Sequence, residues 1–422
     1  MNQHISRVGP YLTAREAADA LRVTRATLYA YTSRGLVRSE PIPGRTRERR
    51  YHREDVERLV ERTATRRDPS RTATGALRWG GPVLESGITL IQDGFFYYRG
   101  QDALALAATS SIEAVATLLW GARDADASRL FEQPSALTRR ELAPLEARSH
   151  EPLTLLQAAL PIAAERDVAS YDLRPPAVRQ TGARILRLFT TLIGRSDARQ
   201  PIHRTLQSVW APKRDAVADV IRAALVLCAD HELNVSAFVA RCAASAGATP
   251  YDIVSAAMAT LKGTRHGGAA THVLDLVRQA GSAKGARAAI TERLRRGERV
   301  PGFGHPLYPS GDPRAAMLIQ LARTSGNEAA WRPFQYLFKA GLDVLQDEPN
   351  LDSGLAAVTL AYRLPREAPI LLFALGRTIG WIAHAIEEYE TARVIRPRAR
   401  YVGPPPAKLG ESRSESNEDA LI

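Results

Sequence analysis

The chain has 422 residues, 45% of them hydrophobic, and a formal net charge of +12. At ~150 residues per domain that length predicts about three domains with ample core, while two cysteines, Cys228 and Cys242, are too few for a disulfide framework or a structural zinc site. With no uninterrupted run of ~18 apolar residues, and no apolar core in the opening "MNQHISRVGPYL", a cytoplasmic protein without a membrane segment is expected.

The charge is uneven along the chain. Residues 1–80 hold 17 Arg against 9 Asp plus Glu, a net of +8, which leaves +4 for the other 342. In "YLTAREAADALRVTRATLYAYTSRGLV", Thr13 and Glu16 have the spacing of a capping box, and a helix through Leu21 is predicted behind it. Thr24 reads as a second N-cap, and Gly35 ends the next helix by tolerating a left-handed backbone. "PIPGRTRERRYHREDVERLVER" then gives a Pro/Gly turn between short extended pieces, and a third helix with Val56, Leu59 and Val60 on one face. This order of two helices, basic wing and helix resembles the winged-helix regulators of the MerR and excisionase type over residues 10–62. The resemblance implies that the second helix enters a DNA major groove, with Arg25, Thr27, Tyr29 and Arg34 as candidate base or phosphate contacts and Arg45, Arg47, Arg49 and Arg50 on phosphates. A small helical adaptor whose arginines form a solvated face is the blander reading, and the basic wing favours double-stranded DNA.

Residues 63–76, "TATRRDPSRTATGA", lack apolar periodicity and read as a linker. Beyond them, Ala- and Leu-rich stretches with 3.6-residue periodicity predict a mostly helical body. The exception is "SGITLIQDGFFYYRG", where β-branched and aromatic residues flank Asp93-Gly94, a hairpin turn signal. No internal repeat is visible. Residues 404–422, "PPPAKLGESRSESNEDALI", are expected to be a disordered tail. Asn234-Val235-Ser236 matches a glycosylation acceptor, a match read as accidental without an export signal.

Six stretches of the body carry polar groups that an ordinary core does not need. They are "ADHELNVSA", "LKGTRHGGAA", "VPGFGHPLYPSGDPR", "PNLDSG", "LFALGRTIGWIAHAIE" and "IRPRARYVG". Taken in this order, with the early hairpin and the "SSIEAVATLLWG" helix, they resemble the citrate synthase family over residues 80–403. The resemblance implies an all-α, two-domain citrate synthase-like helical fold preceded by the small winged helix-turn-helix domain at 1–62. Its large domain would comprise 77–267 and 346–403, and its small domain 268–345 would close over a cleft and exclude water.

The implied reaction joins the methyl carbon of an acyl-CoA, acetyl or propionyl, to the ketone of oxaloacetate, then hydrolyses the thioester. A thioester methyl is a very weak acid, so a base must take its proton while a donor steadies the oxygen that gains charge. By resemblance Asp352 is that base, His266 donates to the thioester oxygen, and His305 polarises the ketone. His231 is a further oxo-acid contact. Arg314, Arg377 and Arg396 clamp carboxylates, and Arg396 reaches the site from the neighbouring subunit, which makes a homodimer with shared active sites the expected assembly. Each has a plainer reading: a helix N-cap for Asp352, a surface turn for His305, a surface charge for an arginine in a chain with 52 Arg and five Lys. Position within the six motifs selects the functional one.

The residues also depart from the family's pattern. Thr264-Arg265 and Ala270-Thr271 flank the first histidine where Pro-Leu and Asn-Glu are usual, "PLYPSG" follows His305 where basic residues are typical, and "PNLDSG" lacks the aromatic pair after the aspartate. No metal and no cofactor beyond the acyl-CoA co-substrate are implied. "GFGHPL" lacks the third glycine and the preceding strand of a dinucleotide loop, and a Gly-x-Ser-x-Gly elbow is missing. Two functions remain: a citrate or 2-methylcitrate synthase carrying a DNA-binding module, or a transcription regulator whose synthase-like body senses an oxo-acid, citrate or acyl-CoA. A sensor needs the arginines but has no use for a base, so His266, His305 and Asp352 together favour the enzyme.

Overall fold

The computed structural model describes residues 11–404 except 22, 43–44, 54, 57–58, 60–83, 124–126, 198, 264–265, 268, 325–326, 392 and 400. The expected linker at 63–76 and the tail beyond 404 lie outside the described residues, as do Val60, Thr264 and Arg265. The chain divides into two compact units, 1–85 and 86–422.

In the first unit, β1 (Tyr11–Thr13) leads directly into α1 (Ala14–Leu21), and α2 (Arg25–Ser33) follows after a short turn. The capping box forms: the Thr13 amide and hydroxyl both donate to Glu16 Oε2 at 2.8 Å, and the Glu16 amide donates back to Thr13 Oγ1 at 3.3 Å. Thr24 caps α2 through Thr27 N, and Gly35 takes φ 71° beyond its end. β2 (Ser39–Ile42) and β3 (Arg45–His52) build the wing, but the sheet has three strands rather than two. β1 pairs antiparallel along β3, Leu12 opposite Tyr51, in the order β1-β3-β2. Leu12, Ala17, Leu28, Val37, Tyr51 and Val56 fill its core. Asp55, in the described part of the third helix, accepts from Arg38 Nε at 2.8 Å and Nη2 at 2.9 Å, which ties that helix to the start of the wing.

The second unit opens on the hairpin β4 (Thr89–Gln92) and β5 (Phe95–Tyr98), with β6 (Gln101–Asp102) beside β5. Asp93 and Gly94 have φ 53° and 82°, the left-handed pair that the two-residue turn requires. The rest is helical. α3 (Ala103–Thr109), α4 (Ile112–Leu119), α5 (Ala127–Phe131), α6 (Arg139–Glu146), α7 (Pro152–Arg166), α8 (Pro175–Gly194) and α9 (Ile202–Trp210) lead to the helices that hold the site. These are α10 (Ala216–Cys228), α11 (Val235–Ser245), α12 (Pro250–Leu261), α13 (Ala269–Ala280), α14 (Ala283–Arg295), α15 (Pro313–Arg323), α16 (Glu328–Leu345), α17 (Leu351–Ala361) and α18 (Ala368–Thr391).

α18 is apolar all round, which is the pattern of a core helix rather than of an amphipathic surface one. Among the described residues it is the one helix long and apolar enough to cross a membrane, and 94% of its most apolar window is buried inside the protein. Two glycines one turn apart let it touch the end of α10. A Cβ on Gly376 would lie 2.6 Å from the Leu225 carbonyl, and one on Gly380 would lie 2.4 Å from Asp230 Oδ1. The Gly380 amide instead donates to Ala229 O at 3.0 Å, and this contact sets where the residues after α10 stand.

Candidate active site

Asp230 and His231 leave α10 under that contact. The Tyr98 hydroxyl reinforces it, donating to Val226 O at 2.9 Å and accepting from the Asp230 amide at 3.2 Å. His231 is 6% exposed, and its ring stands edge-on to that of His305 with centroids 5.1 Å apart. Burial, reinforced by Arg314 and Arg377, pushes its pKa well below the usual imidazole range. His305 follows the same rule, lowered to about 4 by burial and then by Arg314. Its Nδ1 accepts from the Leu307 amide at 3.2 Å, so the neutral ring carries its proton on Nε2.

The loop that presents His305 is held from outside by the strand-like segment before α17. Gly304 N donates to Glu348 O at 2.8 Å, Asn350 N to Gly302 O at 2.9 Å, and Ser353 Oγ to Gly302 O at 2.7 Å. Gly302 has φ 89°, and a Cβ there would stand 2.3 Å from Ser353 Oγ, so glycine is required on both counts. One set of bonds therefore fixes the histidine and the aspartate relative to each other.

Two arginines lie inside this frame, each 2% exposed. Arg314, in the first turn of α15, donates from Nε and Nη2 to the two oxygens of Asp312 at 2.9 and 2.8 Å. Burial would raise the Asp312 pKa, but Arg314 outweighs it and holds the carboxyl below its usual range. The fork thereby keeps one edge paired while Nη1 remains for a second carboxylate. Arg377, midway along α18, has less support: Nε donates to Cys228 O at 2.8 Å, and the guanidinium carbon lies 4.8 Å from the centre of the Phe373 ring. Burial lowers its pKa, opposed chiefly by Asp230. A buried cation whose two Nη groups bond to no described residue calls for an anion.

Asp352 stands at the second residue of α17, where the N-cap reading fails. The cap is Asn350, whose side chain accepts from the Asp352 amide at 3.1 Å. The aspartate carboxyl is thus not needed for the helix end. Burial pushes its pKa up to about 7, a shift that Arg314 opposes and Asp312 adds to. The backbone of Ala270, on the first turn of α13 and four residues beyond His266, also works against that rise.

His266, lowered to about 4 by burial and then Arg377, bonds through Nε2 to Ser236 Oγ at 2.8 Å. Ser236 is fully buried; its oxygen accepts from Trp381 Nε1 at 3.1 Å and its hydroxyl donates to Asn234 Oδ1 at 2.8 Å. When the Ser236 hydroxyl turns its proton to Nε2, the His266 Nδ1 becomes the donor, and Asn234 Oδ1 retains the backbone amides of Ser236 and Ala237. Three neutral imidazoles, two buried guanidiniums and one carboxyl poised near neutrality can deprotonate a weak carbon acid and hold a dianion.

Of the expected site residues, Arg396 stands apart from this group. It is exposed on the segment after α18, which is fastened by the Ile395 amide to Ser245 Oγ at 3.1 Å. Sequence reading passed over Ser236, Asp312 and Tyr308. Asn234-Val235-Ser236 matched only a sugar acceptor, although Asn before a helical run is a cap signal, and Asp312 before Pro313 is another. A cavity of about 790 Å³, lined among others by Tyr171, Tyr389 and Arg393, includes none of these side chains. Among the described residues no cluster of His, Cys, Asp and Glu could hold a metal ion.

In the N-terminal unit, Arg25, Tyr29 and Arg34 are exposed along and just beyond α2, with Tyr29 at 53%. Thr27 Oγ1 lies 2.9 Å from Thr24 Oγ1 and belongs to the cap. Arg49 is engaged with Ser39 at 2.8 Å, and Arg50 with Glu40 at 3.0 Å and the Tyr11 ring at 3.9 Å. Arg45 and Arg47 lie on β3, with side chains outside the described residues.

Known proteins share both patterns. A citrate synthase C-terminal domain model matches residues 76–398, and a helix-turn-helix domain model matches 11–64. Citrate synthase 2 of Bacillus subtilis is 29% identical across 80% of this chain and 98% of its own length. The citrate synthase of Mycolicibacterium smegmatis is 30% identical across 74% and 90%. Among solved structures, the Thermoplasma acidophilum citrate synthase in ternary complex with carboxymethyl coenzyme A and oxaloacetate superposes with a TM-score of 0.67 at 22% identity, covering 78% of this chain and 95% of that one. The Thermotoga maritima enzyme superposes with a TM-score of 0.68 at 23% identity, covering 78% and 96%. With a family model spanning most of the chain and relatives 29% and 30% identical over nearly their whole length, the protein belongs to the citrate synthase family.

Proposed function

We propose that this citrate synthase-type transferase condenses acetyl-CoA or propionyl-CoA with oxaloacetate, giving citrate or 2-methylcitrate and free CoA. Asp352, as carboxylate, takes a proton from the thioester methyl while His266 donates a hydrogen bond to the thioester oxygen. The resulting enol carbon attacks the ketone, whose oxygen His305 polarises from Nε2, and water then cleaves the thioester. His231, Arg314 and Arg377 hold the oxo-acid, and Arg396 of a second copy completes the clamp in a homodimer. The small domain, 268–345, closes over the large one. The observation that carries this reading is the pairing of a carboxyl raised to about 7 with two buried arginines that have donors to spare. Incubation with oxaloacetate and either acyl-CoA, followed by mass analysis of the organic acid, tests it. Citrate or 2-methylcitrate supports the enzyme, whereas bound oxo-acid without either product supports the sensor.

The N-terminal unit is proposed to bind duplex DNA through α2 and the wing. Affinity is expected to fall steeply with salt, because each neutralised phosphate releases counterions. Replacing Arg25 and Arg34 together by Ala is expected to lower the slope of log affinity against log salt by about 2, given roughly 0.9 per phosphate contact. A flat salt response of the unaltered protein would remove the DNA reading.

A further inference from the structure

We infer that Tyr308 is a positioning residue that holds His231 in the tautomer protonated on Nδ1, so that Nδ1 rather than Nε2 donates to the oxo-acid. The inference rests on the proposed reading for the identity of that ligand, but not for the tautomer itself. Tyr308 is 2% exposed and lies between two prolines, Pro306 and Pro309. Its amide donates to His305 O at 3.0 Å and its carbonyl accepts from Gly311 N at 3.1 Å, so the short turn leaves the side chain little choice of direction. The hydroxyl is 2.9 Å from His231 Nε2.

Two arrangements of protons satisfy that distance. If Nε2 carried the proton, the phenol hydrogen would be left in a buried place without a described acceptor, and Nδ1 would present a lone pair to a bound carboxylate or ketone oxygen. If the phenol donates, both problems vanish. A phenol O–H is also a better donor than a neutral imidazole N–H, and burial keeps both groups neutral, raising Tyr308 and lowering His231. Among the described residues, the other neighbours of the ring offer no competing acceptor for Nε2: the Phe96 ring is 6.4 Å away, the His305 ring meets it edge-on, and Arg314 and Arg377 are donors only.

Two neighbouring residues thus set both substrate-facing imidazoles. Leu307 N–H holds His305 in the Nε2-protonated form, and Tyr308 O–H holds His231 in the Nδ1-protonated form. The Tyr308 ring also lies 5.1 Å from that of His305 and 5.5 Å from the Arg314 guanidinium carbon, so one side chain touches three groups of the oxo-acid site.

Nitrogen NMR of the whole protein, labelled with 15N-histidine, tests this, the His231 signals being those lost in His231→Asn. The expected result is a protonated Nδ1 and an unprotonated Nε2 in the free protein. In Tyr308→Phe, which keeps the ring, the preference is expected to shift toward Nε2–H or to average, and the oxaloacetate KM to rise three- to tenfold with kcat within about twofold. A protonated Nε2 in the unaltered protein, or an unchanged tautomer in Tyr308→Phe, overturns the inference, as does a changed tautomer with an unchanged KM. If the protein binds oxaloacetate without turnover, the dissociation constant replaces KM. If it binds none, the proposed substrate falls while the NMR of the free protein still decides the tautomer.

Discussion

Asp352→Asn is expected to cut turnover by at least about 100-fold, in line with the 10²–10⁴ typical of general bases, and to make the protein more stable above neutral pH. Both effects have one origin. A carboxyl raised to about 7 is costly to ionise where it sits, and that cost is what makes it a strong base. The sign follows from proton binding. The folded state holds the Asp352 proton more tightly than the unfolded chain, so destabilisation begins as pH rises past the unfolded value near 4 and is complete above about 7. Some solvent reaches the residue, which reduces the gain expected for Asn at pH 8 to about 1–3 kcal/mol. Activity has the same sign, with kcat/KM rising through pH ~7 as the base ionises. Thermal melts at pH 4.5 and pH 8 check the stability claim. Equal shifts at both would mean that the carboxyl titrates in the ordinary range.

Arg377→Leu is expected to raise the oxaloacetate KM by about 100-fold while leaving the melting temperature unchanged or higher. Losing one partner of a desolvated, hydrogen-bonded charge pair costs about 2–5 kcal/mol of binding, or roughly 30- to several-thousand-fold. In the ligand-free protein, however, the guanidinium is supported only by one carbonyl bond, a ring face and the charge of Asp230, whose carboxylate keeps the Thr89 hydroxyl at 2.6 Å when the arginine is lost, and an apolar side chain there removes a desolvated charge. A merely structural arginine would show the opposite, a lowered melting temperature with unaltered KM. Arg314→Leu differs because it strands Asp312, fully buried as a side chain, and is expected to destabilise as well as weaken binding.

Local features were legible in the sequence because their causes are local. Thr13 with Glu16, Thr24, Gly35 and Asp93-Gly94 each act within four residues, and each forms as expected. The family's motifs brought His231, His305, Arg314 and Asp352 to one frame of bonds, though nothing in their spacing shows that frame. Asp352 illustrates the limit. Asn and Asp both cap helices, the two stand two residues apart, and only the structure assigns the cap to Asn350. The third strand, β1, is three residues long and carries no period. Arg50 reads as a phosphate contact, and its packing over Tyr11, 39 positions earlier, is visible only in the structure. Ser236 and Tyr308 act across 30 and 77 residues, and such pairings depend on helix packing rather than on neighbouring residue types.

The central claim is that the half-buried Asp352 carboxyl and the two buried arginines serve condensation rather than sensing. Release of free thiol from acetyl-CoA or propionyl-CoA, followed with and without oxaloacetate, tests it most directly. Thiol release that requires oxaloacetate and is lost in Asp352→Asn is the expected result. No oxaloacetate-dependent thiol from either donor, in protein that binds oxaloacetate, would contradict it.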